Sequence, residues 1–206
     1  MSKIIILNGP AGVGKDTIGS ELAAYYDCSL VSFKRPMFGI AKYLLGDKAF
    51  TKFITAYDDR DQKDIPHGFL GGKTCREFMI WISESVVKPL FGKQHFGKLM
   101  SEHIRSCRED LTYVCTDGGF QDEIIHLVED GHDVTVIRLH MDGKTFDGDS
   151  RDYIRIKESH FPDYKKYQEH SIHLVNGDIE GGVMAVVYAC GISLSMDDDL
   201  ADDIPW

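Results

Sequence analysis

The chain has 206 residues, 43% of them hydrophobic and 27% charged, with a formal net charge of −10. Length and balance fit one compact domain with an insertion, and exclude a largely disordered, collagen-like or coiled-coil protein. The acidic excess argues against a nucleic-acid polymer as partner, because polymer binding relies on a broad basic surface; five aspartates between 197 and 203 contribute to it, yet the remainder still carries −5.

A short apolar run over 3–7 opens the chain and reads as a buried strand, followed by a glycine-rich turn and a helical pattern over 15–26. A second strand is expected over 30–33, with a helix over 36–45 and another over 74–88. The third strand falls at 111–116 with a helix over 121–130, the fourth at 133–139, and the fifth at 171–175 with a helix over 179–189. Strands alternating with helices predict an α/β fold with a five-stranded, mainly parallel sheet.

Two intervals exceed what a crossover needs. Residues 34–110 are expected to carry a helical insertion, and the polar, glycine-containing 141–162 a mobile lid, within one domain over 1–192. The stretch 193–206 is acidic and aperiodic and is expected to be disordered. No apolar run is long enough to span a membrane, and the opening run is too short for a signal peptide, so no membrane partner and a cytoplasmic location are expected. Cys28, Cys75, Cys107, Cys115 and Cys190 are odd in number and widely spaced, which predicts reduced thiols.

The strongest signal is Gly9-Pro10-Ala11-Gly12-Val13-Gly14-Lys15-Asp16-Thr17, placed between a buried strand and a helix. That order is what a P-loop requires. The glycines let backbone N–H groups turn inward around phosphate oxygens, the helix presents its positive end, and Lys15 adds a charge for the β- and γ-phosphates. Asp16 stands where Ser or Thr is usual, and the hydroxyl arrives one residue later at Thr17. Either side chain suits magnesium, directly or through water, and the sequence leaves both open. The chain has no Asn-Lys-x-Asp segment for guanine recognition, which lowers a GTPase reading. Asn176-Gly177 after the fifth strand reads equally as an approach to adenine or as a plain turn.

Basic residues recur in the intervals expected over the sheet's carboxyl edge: Lys34, Arg35, Arg60, Lys63, Arg76, Arg138, Arg151, Arg155 and Lys157. Arginine suits phosphate because its planar fork donates two parallel hydrogen bonds. Together with the Lys-Asp-Thr loop, the segments Ser32-Phe33-Lys34-Arg35-Pro36-Met37, Gly72-Lys73-Thr74-Cys75-Arg76-Glu77, Trp81-Ile82-Ser83-Glu84 and Thr116-Asp117-Gly118-Gly119-Phe120-Gln121-Asp122-Glu123 resemble the bacteriophage deoxynucleoside monophosphate kinases. The resemblance spans residues 3 to about 177. It implies a three-layer P-loop kinase fold, a helical monophosphate-binding region, an arginine-bearing lid, ATP and Mg2+ as cofactors, small-molecule nucleotides as partners, and the host cytoplasm as location.

By this resemblance Lys15, Arg76, Asp117, Arg151 and Arg155 are the expected catalytic residues, with Arg151 and Arg155 as the lid pair. Asp16, Thr17 and Asp117 are expected at the metal. Lys34, Arg35, Lys63, Arg76, Trp81, Glu84 and Phe120 are expected around the acceptor. Many members carry an arginine where this chain has Gly119, so a phosphate contact there is lost or supplied elsewhere. Each of these residues also has an ordinary reading: Asp117 before Gly118-Gly119 as a turn residue, the aromatics as core, the charged run 58–63 as solvated surface. A kinase of a small-molecule or modified-nucleoside hydroxyl, and a nucleotide-driven regulatory switch, are the alternatives. A homodimer rests only on the base rate for soluble enzymes.

Overall fold

The computed structural model describes residues 1–107, 111–148, 151–157, 160–161 and 166–193. Strands β1 (Lys3–Asn8), β2 (Cys28–Val31), β3 (Thr112–Cys115), β4 (Asp133–Met141) and β5 (Tyr167–Leu174) form one sheet in the order β2-β3-β1-β4-β5. Every pairing is parallel, and Ile5 at the centre lies opposite Val114 on one side and Thr135 on the other. Ile4 to Leu7 have no exposed surface, as a parallel strand covered on both faces demands.

The side chains of β1 alternate between two cores. Ile4 and Ile6 pack with Phe33, Phe53, Phe96 and Ile124, whereas Ile5 and Leu7 pack with Ile18, Leu22, Val183 and Val186. The helices are α1 (Lys15–Tyr25), α2 (Arg35–Asp58), α3 (Arg60–Lys63), α4 (Cys75–Ile80), α5 (Lys88–Phe91), α6 (His95–Arg105), α7 (Gln121–Glu129) and α8 (Ile179–Cys190). α1 and α8 cover the Ile5 face; α2, α4, α6 and α7 cover the other. Handedness explains the division. The chain leaves β1 toward β2 in one direction and travels from β2 to β5 in the opposite one, so right-handed crossovers fall on opposite faces. Open α/β sheets hold their ligands at the carboxyl ends of the strands where such a reversal falls, here β1 and β3.

Several elements differ from the sequence expectation. β2 ends at Val31, two residues early, because Ser32 and Phe33 turn their hydroxyl and N–H to Asp117. α2 continues beyond residue 45, but Gly46 at φ 68° reverses it: Phe38 and Phe53 would lie about 22 Å apart along a straight helix, and their rings meet at 6.1 Å. The helix expected over 74–88 holds a π-helical stretch, Trp81–Val87, before α5. Pro89 supplies the cause, having no N–H for the Ser85 carbonyl and a ring that crowds it. β5 starts four residues before 171, since an edge strand keeps polar residues on its open side. All five cysteines are free thiols. No helix among the described residues is long and apolar enough to cross a membrane. Of the tail expected to be disordered, 194–206 lie outside the described residues, as do 149, 150, 158, 159 and 162 of the lid interval.

Candidate functional site

The turn between β1 and α1 shows why its glycines are where they are. A Cβ on Gly9 would stand 2.8 Å from the Leu139 carbonyl oxygen and 3.0 Å from Val13, so the turn passes β4 too closely for any side chain. Gly12 and Gly14 have φ of 73° and 98°, the left-handed region that glycine adopts without strain. Val13 is wholly buried and anchors the turn, while Ala11 is exposed. Gly14 is the N-cap of α1 and offers no side chain to the first N–H groups of the helix. Those donors and the helix dipole make this end complementary to an anion. Lys15 folds over the same turn, giving its Nζ to the Gly9 and Pro10 carbonyls at 2.6 and 2.7 Å.

Asp16 and Thr17 part ways. Asp16 accepts the Thr116 hydroxyl at 2.6 Å at the carboxyl end of β3. Thr17 faces the other side, in the wall of a cavity of about 240 Å3 that Gly12, Gly14, Met141 and Asn176 also line. Asn176 therefore shares a cavity with the phosphate turn, in the loop between β5 and α8.

Asp117 follows Thr116 and is engaged on both oxygens. Oδ1 accepts from the Phe33 N–H and the Cys115 thiol at 3.1 and 3.0 Å; Oδ2 accepts from the Ser32 hydroxyl and the Lys34 N–H at 2.6 and 3.1 Å. Burial, reinforced by Asp117, pushes the Cys115 thiol well above its usual range, which keeps it a donor. This carboxylate thus ties the β2–α2 connection, with Lys34 and Arg35 in it, to the end of β3. Arg35 itself meets His103 Nε2 of α6 at 2.7 Å.

The other expected acceptor residues form two groups. Arg76 in α4 grips Asp64 with Nε at 2.9 Å and Nη2 at 3.3 Å, and Lys63 lies 3.6 Å over the ring of Tyr57. Around α5, Glu84 pairs with Lys88 at 2.6 Å, Lys88 lies 4.0 Å over the Phe120 ring, and Trp81 stacks on Phe78 at 5.8 Å. Burial works against the Glu84 charge, but hydrogen bonds from Lys88 and Ser83 outweigh it and hold its carboxyl below the usual range. Beside this group Glu123 is buried on the first turn of α7, and burial raises its carboxyl to about 8.

The segment 151–157 closes over the carboxyl edge. Ile154 and Ile156 are buried, and the Ile154 carbonyl accepts from Arg138, which also pairs with Glu169 of β5. Arg138 is therefore a girder between β4, β5 and this segment. The stem of Arg151 lies directly against Gly119, in the space that a Cβ there would take. Arg155 is exposed and lends its charge to the surroundings of His140, whose pKa is held down first by burial.

The fold thus brings Lys15, Asp16, Asp117 and Arg151 to the ends of β1 and β3, and carries Lys63 and Arg76 on α3 and α4, between β2 and β3 in the chain. Four site-bordering residues were assigned no role from sequence: Asn8, Thr116, Glu123 and Lys144. Thr116, next to Asp117, was visible as the end of an expected strand. Lys144 was marked only by the Asp142-Gly143 turn before it.

No protein-family model and no curated protein matches the chain. Among solved structures, an unliganded sugar kinase from Janibacter sp. HTCC2649 is 10% identical, covers 94% of this chain and 96% of that one, and superposes with a TM-score of 0.45. An uncharacterized protein from Eubacterium ventriosum is 12% identical over 93% and 99% of the two chains, with a TM-score of 0.43. Likeness at this level says nothing about activity.

Proposed function

We propose that this chain is an ATP- and magnesium-dependent kinase that passes the γ-phosphoryl group to a (deoxy)nucleoside monophosphate. The observation that carries the reading is the turn of residues 9–14, with left-handed Gly12 and Gly14 leading into an uncapped helix end and Lys15 beside it, at the point where the sheet's connections diverge. A triphosphate fits such a cradle through backbone donors, dipole and ammonium together. Thr17 and Asn176 face the donor's nucleoside end in their shared cavity.

Phosphoryl transfer depends on positioning and charge neutralisation more than on covalent help. Lys15 exchanges its carbonyl partners for the β- and γ-phosphates. Arg151, supported on Gly119, supplies the charge that a side chain at 119 does not. Arg76 receives the acceptor's phosphate in place of the Asp64 carboxylate, for which its fork is already oriented. A phosphate monoester has a second pKa near ~6 and is largely dianionic at neutral pH, so the acceptor needs no general base. This agrees with Asp117, whose two oxygens already serve four donors and are ill suited to accept a proton from a hydroxyl.

Among the described residues no group of three or more His, Cys, Asp or Glu side chains converges as a metal cage. Magnesium is commonly held by one or two carboxylates plus substrate phosphates, and Asp16, steadied by Thr116 at the phosphate turn, fits that donor set. When bound, the ion would neutralise charge on the β- and γ-phosphates.

ADP release measured with and without a panel of monophosphates tests the reading. A kinase of this kind turns over only with an acceptor, and Lys15→Ala loses at least about a hundredfold. Slow hydrolysis indifferent to acceptor would indicate a regulatory switch, and a response to nucleosides or sugars in place of monophosphates a hydroxyl kinase. Arg76→Ala should chiefly raise the KM for the monophosphate; an unchanged KM assigns Arg76 to the Asp64 pair alone.

A further inference from the structure

We infer that Lys144 is a second phosphate-binding cation of this site, acting from the loop after β4; the inference rests on the nucleotide reading above. Its Nζ lies 3.3 Å, and its Cε 3.8 Å, from where a Gly12 Cβ would stand. The ammonium therefore sits against the phosphate turn, at the glycine whose φ of 73° shapes it.

The position is built by a tight turn. β4 ends at Met141, Gly143 takes φ 75°, and the Lys144 N–H returns to the Met141 carbonyl at 3.1 Å. From that fixed backbone the four-carbon stem carries the charge back across the sheet edge. Lys144 also lines a cavity of about 670 Å3 with His140, Phe146, Arg151, Tyr153 and His173. It thus stands between this cavity and Gly12 of the phosphate turn, within reach of phosphates held there.

Charge selects the ligand class. A surface lysine gains most by pointing into water. This one, though exposed, rests its Nζ against Gly12 of the turn that leads into α1, where Lys15 already contributes an ammonium. Two cations converging on a helix N-terminus are complementary to a polyanion, and their benefit grows with the number of phosphates. The inferred preference is for a nucleoside triphosphate over the corresponding monophosphate in the turn.

Calorimetric titration of the full chain with ATP, ADP and AMP tests this, using Lys144→Ala, Lys144→Arg, Lys15→Ala and Lys52→Ala, the last as an exposed control on α2. Lys144→Ala is expected to weaken ATP binding by about tenfold or more, in line with a lost charge-assisted hydrogen bond, and AMP binding far less. Lys144→Arg should recover most of the loss, and Lys52→Ala should change nothing. ATP should also protect Lys144 from amine acylation followed by mass spectrometry. ATP affinity within twofold of wild type in Lys144→Ala, alongside a clear loss in Lys15→Ala, overturns the inference and leaves the nucleotide reading standing. Failure of the wild-type chain to bind ATP at all overturns both.

Discussion

Asn8, the last residue of β1, accepts the Ile154 N–H on Oδ1 at 2.9 Å and donates Nδ2 to the Asp152 carbonyl at 3.3 Å. One buried amide thus fastens the segment over the site to the strand from which the phosphate turn departs. Asn8→Ala leaves the Ile154 N–H without its partner, at a cost of about 1–3 kcal/mol for a buried donor. Urea unfolding should report that loss, and limited proteolysis should cut faster within 151–157 in the variant. Unchanged values in both would mean that Ile154 and Ile156 hold the segment through packing alone.

Gly119 and Arg151 make a second pair with a definite consequence. A methyl group at 119 collides with the arginine stem, and Gly119 is buried, so the side chain must move or the backbone must give. Gly119→Ala should lower kcat/KM by about tenfold, as small misplacements of a charge do. Overpacking should lower stability by about 1–3 kcal/mol. Adding Arg151→Ala to Gly119→Ala should restore the stability and leave the activity low. Restored activity in the double variant would remove Arg151 from the site.

What could be read from sequence was local. Ile4 to Leu7 followed by Gly9, Gly12, Gly14 and Lys15 announced strand, turn and helix because each constraint acts within a few residues. The parallel five-stranded sheet followed from the same alternation. The relationships that finish the site join distant residues: Asn8 to Ile154, Thr116 to Asp16, Gly12 to Lys144. Periodicity carries no trace of them. Gly46 showed where the first half of α2 ends but not that an antiparallel second half follows, which the Phe38, Phe53 and Tyr57 cluster decides. Arg138 counted as one basic residue among several until β5 placed Glu169 beside it.

Asp117 is the expected site residue whose surroundings most constrain its role. Asp117→Asn replaces one oxygen by an NH2 group, and each oxygen now serves two donors, so either orientation sets a donor against two others. Stability should fall by about 3 kcal/mol, as expected when hydrogen bonds to a charged group are lost. Residues 32–34 should become labile to amide exchange. The magnesium concentration giving half-maximal turnover discriminates further. A carboxylate that only ties the β2–α2 connection leaves it unchanged, whereas one that holds the metal raises it.

Glu123 gives the chain a pH dependence that runs against the common pattern for acids. Burial raises its carboxyl to about 8; Lys88 lowers it, and Asp117, Glu84 and Asp122 raise it further. Below pH ~4.5 the group is neutral folded or unfolded and has no effect. As pH rises toward 8 the unfolded chain ionises first, so the unfolded state binds fewer protons and stability falls. The slope from this group approaches about 1.4 kcal/mol per pH unit in the middle of that window and vanishes above it. Urea midpoints measured from pH 5 to 8 should decline for the wild type and decline less for Glu123→Gln, which keeps the shape and has no charge to bury. The variant should gain stability relative to wild type as pH approaches 8. Parallel curves for the two proteins would show that Glu123 ionises normally in the folded chain and that the α5–α7 junction admits water.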